Sequence, residues 1–518
     1  MQIDWKNILF INPKIEYNYE IKYIVFVNIY FIWEEYMKKI LLVSSEAVPY
    51  IKTGGLADVA GSLPRYMNKD KFDVRIILPK YACMKEAFLE ELQFVCHFYV
   101  DLNWRKQYAG IFKSEYKGVT YYFVDNEFYF AGNNPYNNIY EDVEKFAYFS
   151  KAVLMALPYL DFVPDVIHCN DWQTGLVPVY LKAWFGQDNF YNGIKTVFSI
   201  HNMKFQGRWM VNEICDITGL PISIFTSDKL EAYGEANYLK GGLVYADAIS
   251  TVSPSYAKDI ATPEGGEGLD GLMRAREKDL YGIVNGIDYD EFNPMTDTSM
   301  VAHFNAKTVS KNKKVNKTAL QKAMGLPMKE DAFVIGMVSR LTDQKGFDLV
   351  AYVMEEMLST MDVQIVVVGT GEYRFEEMFQ YFQGKYPQKI SAYIGYSEEK
   401  AHMIYASCDA FLMPSLFEPC GLSQMMSMRY GTIPIVRQTG GLKDTVEAYN
   451  EYENSGTGFS FTNYNAHEML DMIRYANKVF SEDKKAWEDL MKRAMEADFS
   501  WNASARKYEA LYTKLIEG

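Results

Sequence analysis

A short apolar run, Ile40-Leu41-Leu42-Val43, leads to Lys52-Thr53-Gly54-Gly55-Leu56-Ala57-Asp58-Val59, and residues 56–67 have the pattern of a helix. The order is strand, glycine turn, helix. Paired glycines let a backbone approach a ligand closely, and a helix start offers free N–H groups and a positive dipole end to an anion. Lys52 adds a mobile cation, and Asp58 sits one turn into the helix. The pattern returns far downstream as Thr439-Gly440-Gly441-Leu442-Lys443-Asp444, again after an apolar run, 433–436. Two such units predict a two-domain enzyme with an anion-handling loop in each half. The alternative is a pair of ordinary strand–helix turns, since short glycine motifs are weak alone.

The rest of the chain alternates short apolar strands with amphipathic helices, the signature of a mainly parallel sheet. In the first half strands are expected at 39–43, 74–78, 119–124, 166–168, 196–201 and 248–252. In the second they are expected at 332–338, 363–368, 390–394, 410–413 and 432–436. A length of 518 residues exceeds one core and suits two large α/β domains. The turn-forming Asn-Gly step in Gly282-Ile283-Val284-Asn285-Gly286-Ile287-Asp288 marks the junction. The expected division is 37–284 and 285–500, with a final helix, 501–518, rejoining the first domain. The glycine-rich stretch 262–270 reads as a flexible loop and a candidate lid. Two doubly wound domains put the carboxyl ends of their strands face to face, so the cleft between them is the expected site.

Charge narrows the partners. The 53 basic and 67 acidic residues leave a net charge of −14, which argues against general nucleic-acid binding while leaving room for a local phosphate pocket. Aromatic residues make up 15%, with 40 Tyr; some of that surface suits sugar stacking, and most belongs in a core. The six cysteines form no CxxC pair, no zinc-ligand spacing and no disulfide framework, which predicts reduced thiols and a cytoplasmic location. The apolar stretch 21–33 is interrupted by Lys22 and Asn28 and is too short to span a bilayer. No signal-peptide pattern precedes Met37-Lys38-Lys39, so residues 1–36 are expected to be an extension outside the fold. No membrane partner is expected.

From Met37 onward the chain resembles the bacterial glycogen synthase and plant starch synthase family, glycosyltransferase family 5, of the GT-B fold. The resemblance rests on motifs in the family's order: 52–59; Asp165-Val166-Ile167-His168-Cys169-Asn170-Asp171-Trp172 with Gln173-Thr174-Gly175-Leu176; Ser199-Ile200-His201-Asn202; 284–288; Ser339-Arg340-Leu341-Thr342-Asp343-Gln344-Lys345-Gly346; and Pro414-Ser415-Leu416-Phe417-Glu418-Pro419-Cys420-Gly421-Leu422. The family adds glucose from a nucleotide sugar to the non-reducing end of an α-1,4-glucan, with retention of configuration. The resemblance implies an ADP-glucose donor and a glycogen acceptor.

Breaking a sugar–pyrophosphate bond creates an oxocarbenium-like sugar and an anionic leaving group, so the site must neutralise phosphate and shield the sugar. Arg340 and Lys345 follow a strand and can converge on one anion, Arg bidentately and Lys as a point charge. Spacing alone favours solvated charges at a strand end; the resemblance assigns them to the donor diphosphate. It assigns Glu418 to the donor glucose, as nucleophile or cation stabiliser, where a lone Glu before a helix is otherwise a cap. Ser415, Cys420, Gly421 and Leu422 join the donor pocket by resemblance, with helix-start amides near Gly421 suited to oxygen ligands. Thr439 and Gly440 belong to the second glycine turn of that pocket.

His201, at a strand end, is a structural hydrogen-bonder on position alone. By resemblance it lies beside the transferred glucose with Asn202 and polarises the donor sugar without acting as a general base. Asp171 and Tyr136 fall among acceptor and sugar contacts, and His168 is given a structural role. Asp58 would bond acceptor hydroxyls, Gly54 and Gly55 would let their loop close on the diphosphate, Lys52 would sit near the nucleotide, and Asn285 would reach the donor on closure. Such closure excludes water. No HExxH, DxD or EF-hand pattern occurs, so neither an essential metal nor a cofactor is expected. The rival readings are another retaining GT-B transferase, of the sucrose or trehalose-phosphate synthase kind, and a non-catalytic glucan-binding protein. A phosphorylase would need a pyridoxal phosphate lysine motif, and none is found.

Overall fold

The computed structural model describes residues 37–518. The expectation for residues 1–36 lies outside them. In chain order the first half carries β1 (Lys38–Val43), β2 (Phe72–Pro79), β3 (Gln93–Leu102), β4 (Arg105–Tyr116), β5 (Val119–Asp125), β6 (Val166–Asn170) and β7 (Lys195–Ile200). Three short strands follow, β8 (Arg208–Met210), β9 (Glu231–Ala232) and β10 (Glu235–Asn237), then β11 (Ala248–Thr251) and β12 (Leu280–Gly282). The second half carries β13 (Phe333–Val338), β14 (Val363–Gly369), β15 (Ile390–Ile394), β16 (Ala410–Met413), β17 (Ile433–Arg437) and β18 (Phe459–Phe461).

The first sheet has the order β12-β11-β7-β6-β1-β2-β5-β4-β3, and the second β15-β14-β13-β16-β17-β18. The second is parallel throughout. The first is parallel from β12 to β5, and β4 then pairs antiparallel with β5 and β3 antiparallel with β4. Strands buried on both faces read as unbroken apolar runs, as in Ile40–Val43 and Ile365–Val368.

Each sheet reverses its winding once. The first chain half builds outward from β1 through β2 and β5, then returns to add β6, β7, β11 and β12 on the other side. Its switch point lies between β1 and β6. The second half runs from β13 to β14 and β15, then adds β16, β17 and β18 opposite, so its switch point lies between β13 and β16. Ligands of doubly wound sheets bind beyond the strand ends at such points.

All the expected strands form, within two or three residues at their ends. The β3–β4 hairpin, the small β8-β10-β9 sheet, β12 and β18 went unread. β12 and β18 are three residues each, too short for a period to register. In the hairpin a bulge between Phe94 and Cys96 shifts the alternation, and aromatic rings stand on its solvent face at Phe94, Tyr99 and Tyr108. The stretch 262–270 is a chain of turns bonded to itself, with Gly266 N donating to Thr262 O and Leu269 N to Gly266 O, both at 2.8 Å.

Tyrosines at 121, 148, 180, 238, 430, 508 and 512 are among the largest fully buried side chains, so much of the aromatic content is core. Tyr508 and Tyr512 come from the terminal helix, Trp501–Glu517, which packs on the first sheet. Tyr512 Oη lies 2.6 Å from His168 Nδ1, and Ser504 Oγ donates to Val284 O at 2.6 Å. The outgoing and returning chain segments cross together: Ile287 N donates to Phe499 O at 2.8 Å, and a Cβ on Gly286 would stand 2.6 Å from Trp501 Cα. No helix among the described residues is long and apolar enough to cross a membrane.

Candidate active site

The loop after β1 and the helix Gly55–Tyr66 carry the first glycine turn. A residue outside the motif holds it. Glu46 is buried, takes the Thr53 amide at 2.5 Å and the Thr53 hydroxyl at 2.9 and 3.0 Å, and accepts from Tyr136 Oη at 3.2 Å. Ser45 Oγ also meets Tyr136 Oη at 2.8 Å. Burial raises the Glu46 carboxyl above its ordinary range against those hydrogen bonds, and it raises the Tyr136 phenol well above its own. Lys52 Nζ pairs with Asp58 Oδ1 at 2.8 Å, so the two motif charges neutralise each other here. Burial raises the Asp58 carboxyl despite that partner.

At the end of β6 Asp171 adopts φ 57°, ψ 178°, a region that L side chains rarely occupy and that costs about 1–3 kcal/mol. The fold retains this strain because Asp171 N bonds Ser199 O and its Oδ1 accepts the His201 amide at 2.7 Å. Burial outweighs these bonds and pushes the carboxyl up to about 7. His201 follows β7. Its Nε2 lies 2.9 Å from Asn170 Oδ1, an acceptor, so the proton sits on Nε2 and Nδ1 presents a lone pair. Burial holds the ring down to about 4, hence neutral near pH 7. Asn202 Oδ1 accepts Lys204 N at 3.1 Å and closes a local turn. His168 bonds Tyr512 on one side and Ser199 Oγ, at 2.5 Å, on the other, which accords with a structural role.

The second switch point gathers side chains from the loops that follow β13 and β16. Lys345 Nζ lies 2.6 Å from Glu418 Oε2, and Ser415 Oγ donates to the same oxygen at 3.0 Å. Arg340 is exposed, and its guanidinium makes no hydrogen bond or ion pair among the described residues. Lys345 and Arg340 thus differ: Lys345 is paired with a carboxylate, and Arg340 has no such partner among the described residues. The Asn285 amide bonds the Cys420 thiol, which burial pushes up to about 12. Asn285 Oδ1 is buried without a hydrogen-bond partner among the described residues.

The two glycine turns differ in kind. A Cβ on Gly54 would meet no atom within 4 Å, and one on Gly55 would stand 3.6 Å from Leu422 Cδ1 of the other half. Gly440 instead has φ +44°, and its Cβ would stand 2.0 Å from Glu418 O; a Cβ on Gly441 would be 2.2 Å from Cys420 O. Gly421 is likewise left-handed. The second turn is therefore glycine for packing against the Glu418 loop. Its amides are also engaged: Thr439 N donates to Arg437 O, Gly441 N to Glu418 O, and Gly440 N to Asp259 Oδ2 at 3.1 Å. The last bond crosses between the two sheets. Asp444 answers it, accepting Ser255 N at 2.8 Å and Ser255 Oγ at 2.6 Å, so each short helix lends a carboxylate to the other.

Four clusters result: Lys52 with Asp58, Tyr136 with Glu46 and Thr53, and Asp171 with His201 and Asn170 on one side, and Lys345, Glu418 and Ser415 on the other, with Leu422 reaching Gly55 across. Glu46, Asn170, Asp259 and Asp444 were not singled out in the sequence. The signals for the first two were their places directly beyond β1 and beside Asp171.

The family described as "Starch synthase catalytic domain" matches residues 39–275, and "Glycosyl transferases group 1" matches 322–493. The chain is 63% identical to a glycogen synthase of Lachnospira eligens over 479 residues, covering 92% of this chain and 100% of that protein. It is 58% identical to one of Lachnoclostridium phytofermentans over the same length, again 92% and 100%. The catalytic domain of Starch Synthase IV from Arabidopsis thaliana, solved with ADP and acarbose, superposes with a TM-score of 0.84 at 31% identity, covering 93% of this chain and 100% of that one.

Proposed function

The chain belongs to the glycogen synthase family of GT-B glycosyltransferases and makes glycogen by glycosyl transfer, and on that premise we propose that it moves glucose from ADP-glucose to the non-reducing end of an α-1,4-glucan, with retention, in the cytoplasm. Residues 37–284 with the helix 501–518 serve as the acceptor lobe and residues 285–500 as the donor lobe.

Arg340 grips the diphosphate with its unpaired guanidinium, and Lys345 joins it as the leaving group gathers charge. Glu418 lies against the donor glucose and offsets the oxocarbenium charge. The amides and side chains of Ser415, Cys420, Gly421, Leu422, Thr439 and Gly440 shape that pocket, and Asn285 contributes its unsatisfied Oδ1 from the crossing. Neutral His201 accepts a sugar hydroxyl at Nδ1, with Asn202 beside it. Asp58, Tyr136 and Asp171 order the acceptor, while Lys52, Gly54 and Gly55 close over the nucleotide. The departing phosphate takes the acceptor proton on the same face.

The observation that carries this reading is that the Glu418 loop meets the other half directly: Ser253 Oγ donates to Pro419 O at 2.8 Å, and a Cβ on Gly55 would stand 3.6 Å from Leu422 Cδ1. The test is incorporation of labelled glucose into glycogen from ADP-glucose and UDP-glucose in parallel, with the anomeric outcome read by NMR. Faster transfer from ADP-glucose into α-1,4 linkages is the expected result. Preference for UDP-glucose, or an inverted product, overturns the reading.

A further inference from the structure

The helix Glu398–Ser407 presents Glu398 and His402 four residues apart, hence on one face. Glu291, in the segment beyond the interlobe crossing, comes to the same face. One oxygen of each carboxylate and an imidazole nitrogen of His402 lie within 4.8 Å of one another. Neither glutamate makes a hydrogen bond or ion pair among the described residues. Lys52, the cation that acts on Glu291, is already paired with Asp58, and Asp58, Asp288 and Glu398 add negative charge around Glu291.

His402 is built as a ligand rather than as a surface histidine. It is 7% exposed, and Phe292 stacks on its ring at 4.9 Å and 20°. Its Nδ1 lies 2.7 Å from Asp297 Oδ2. Asp297 also accepts from Tyr430 Oη at 2.5 Å and Ser299 N at 2.8 Å, so it is an acceptor and Nδ1 carries the proton. That leaves the Nε2 lone pair without a hydrogen-bond partner among the described residues. A carboxylate behind a histidine fixes its tautomer and raises its basicity as a metal ligand.

We propose that Glu291, Glu398 and Nε2 of His402 form an accessory divalent-cation site, filled by zinc or a similar borderline metal, that ties the crossing segment to the donor lobe. One imidazole with two carboxylates suits zinc, and three protein ligands leave a fourth position to water. Ligand atoms around tetrahedral zinc stand about 3.3 Å apart, so small rotations of the two exposed carboxylates complete the site.

The test titrates zinc chloride calorimetrically into chelator-treated full-length protein, and follows cobalt chloride by its visible absorption. One ion per chain at micromolar metal is expected, with tetrahedral cobalt bands and no thiolate charge-transfer band, which separates this site from the cysteines. Glu291→Gln and Glu398→Gln change exposed side chains and leave folding intact; each should weaken binding by roughly tenfold or more. Asp297→Asn should weaken it through the histidine. The proposal is overturned by no saturable zinc binding below millimolar metal, or by binding that both glutamine variants leave unchanged.

Discussion

Lys345 and Glu418 stand 2.6 Å apart although their loops leave different strands, β13 and β16, and lie 73 residues apart in the chain. The pair exists because those strands are neighbours at the switch point. Glu418→Gln keeps the shape and removes the charge; kcat should fall about 100- to 1000-fold with little change in donor KM, read from initial rates. Lys345→Ala leaves a carboxylate buried without its cation and should cost about 3 kcal/mol in urea melts. Full activity in Glu418→Gln would remove the carboxylate from the mechanism.

Glu46 ties the Thr53 loop to Tyr136. In Glu46→Gln an amide N–H₂ confronts the Thr53 donors, so the loop should loosen. Transfer should drop about 100-fold through misplacement of the loop. Hydrogen exchange across residues 50–56 should speed up, while the melting temperature moves little. Unchanged exchange would mean that Glu46 does not hold the loop.

The two glycine turns separate by substitution. Gly440→Ala drives a Cβ against Glu418 O at φ +44° and should destabilise by at least about 2 kcal/mol. Gly54→Ala meets no protein atom within 4 Å and should melt like the native protein. If the first loop closes on the diphosphate, the same variant loses activity; full activity with intact stability would take Gly54 out of the donor site.

Acid should destabilise the protein through its buried histidines. Burial holds His168 to about 3 and His201 to about 4, whereas an unfolded histidine titrates near 6.5. Below about pH 6.5 the unfolded chain binds protons that the native one refuses, so their contribution is whole above that pH and is lost as pH falls towards 4. Asp171, raised to about 7, works the other way: its contribution is present at low pH and fades as pH rises from about 4 to 7. Glu46 and Asp58, also raised by burial, act in the same sense as Asp171, so single substitutions isolate each group. In urea melts from pH 8 to 4, Asp171→Asn should lose more stability on acidification than the native protein, and His201→Asn less.

Much of the fold was legible because buried parallel strands read as apolar runs, and every expected strand formed. The edge hairpin escaped because a bulge and solvent-facing aromatics break its alternation. In the site, Arg340, Lys345, Glu418 and His201 lie just beyond strands, where spacing alone reads as solvated charges, a helix cap and a structural hydrogen-bonder; only the family resemblance singled them out. Glu46 did not, because one glutamate in a loop carries no period; its meaning is the Thr53 and Tyr136 donors that folding brings to it. The two glycine turns looked alike in sequence and proved different, since only Gly440 and Gly441 are pressed by the Glu418 loop.

The order of residues alone determined the alternation of strand and helix, the place of the crossing near Asn285, and which side chains end strands. All of these follow from local propensity and hydrophobic spacing, which act over a few residues. The tertiary structure decided which strand ends face one another, that Lys345 is spent on Glu418 while Arg340 is free, and that Asp259 and Asp444 cap each other's helices across the lobes. Those are contacts between distant segments, and their energies depend on burial and orientation that exist only once both sheets have closed around their cores.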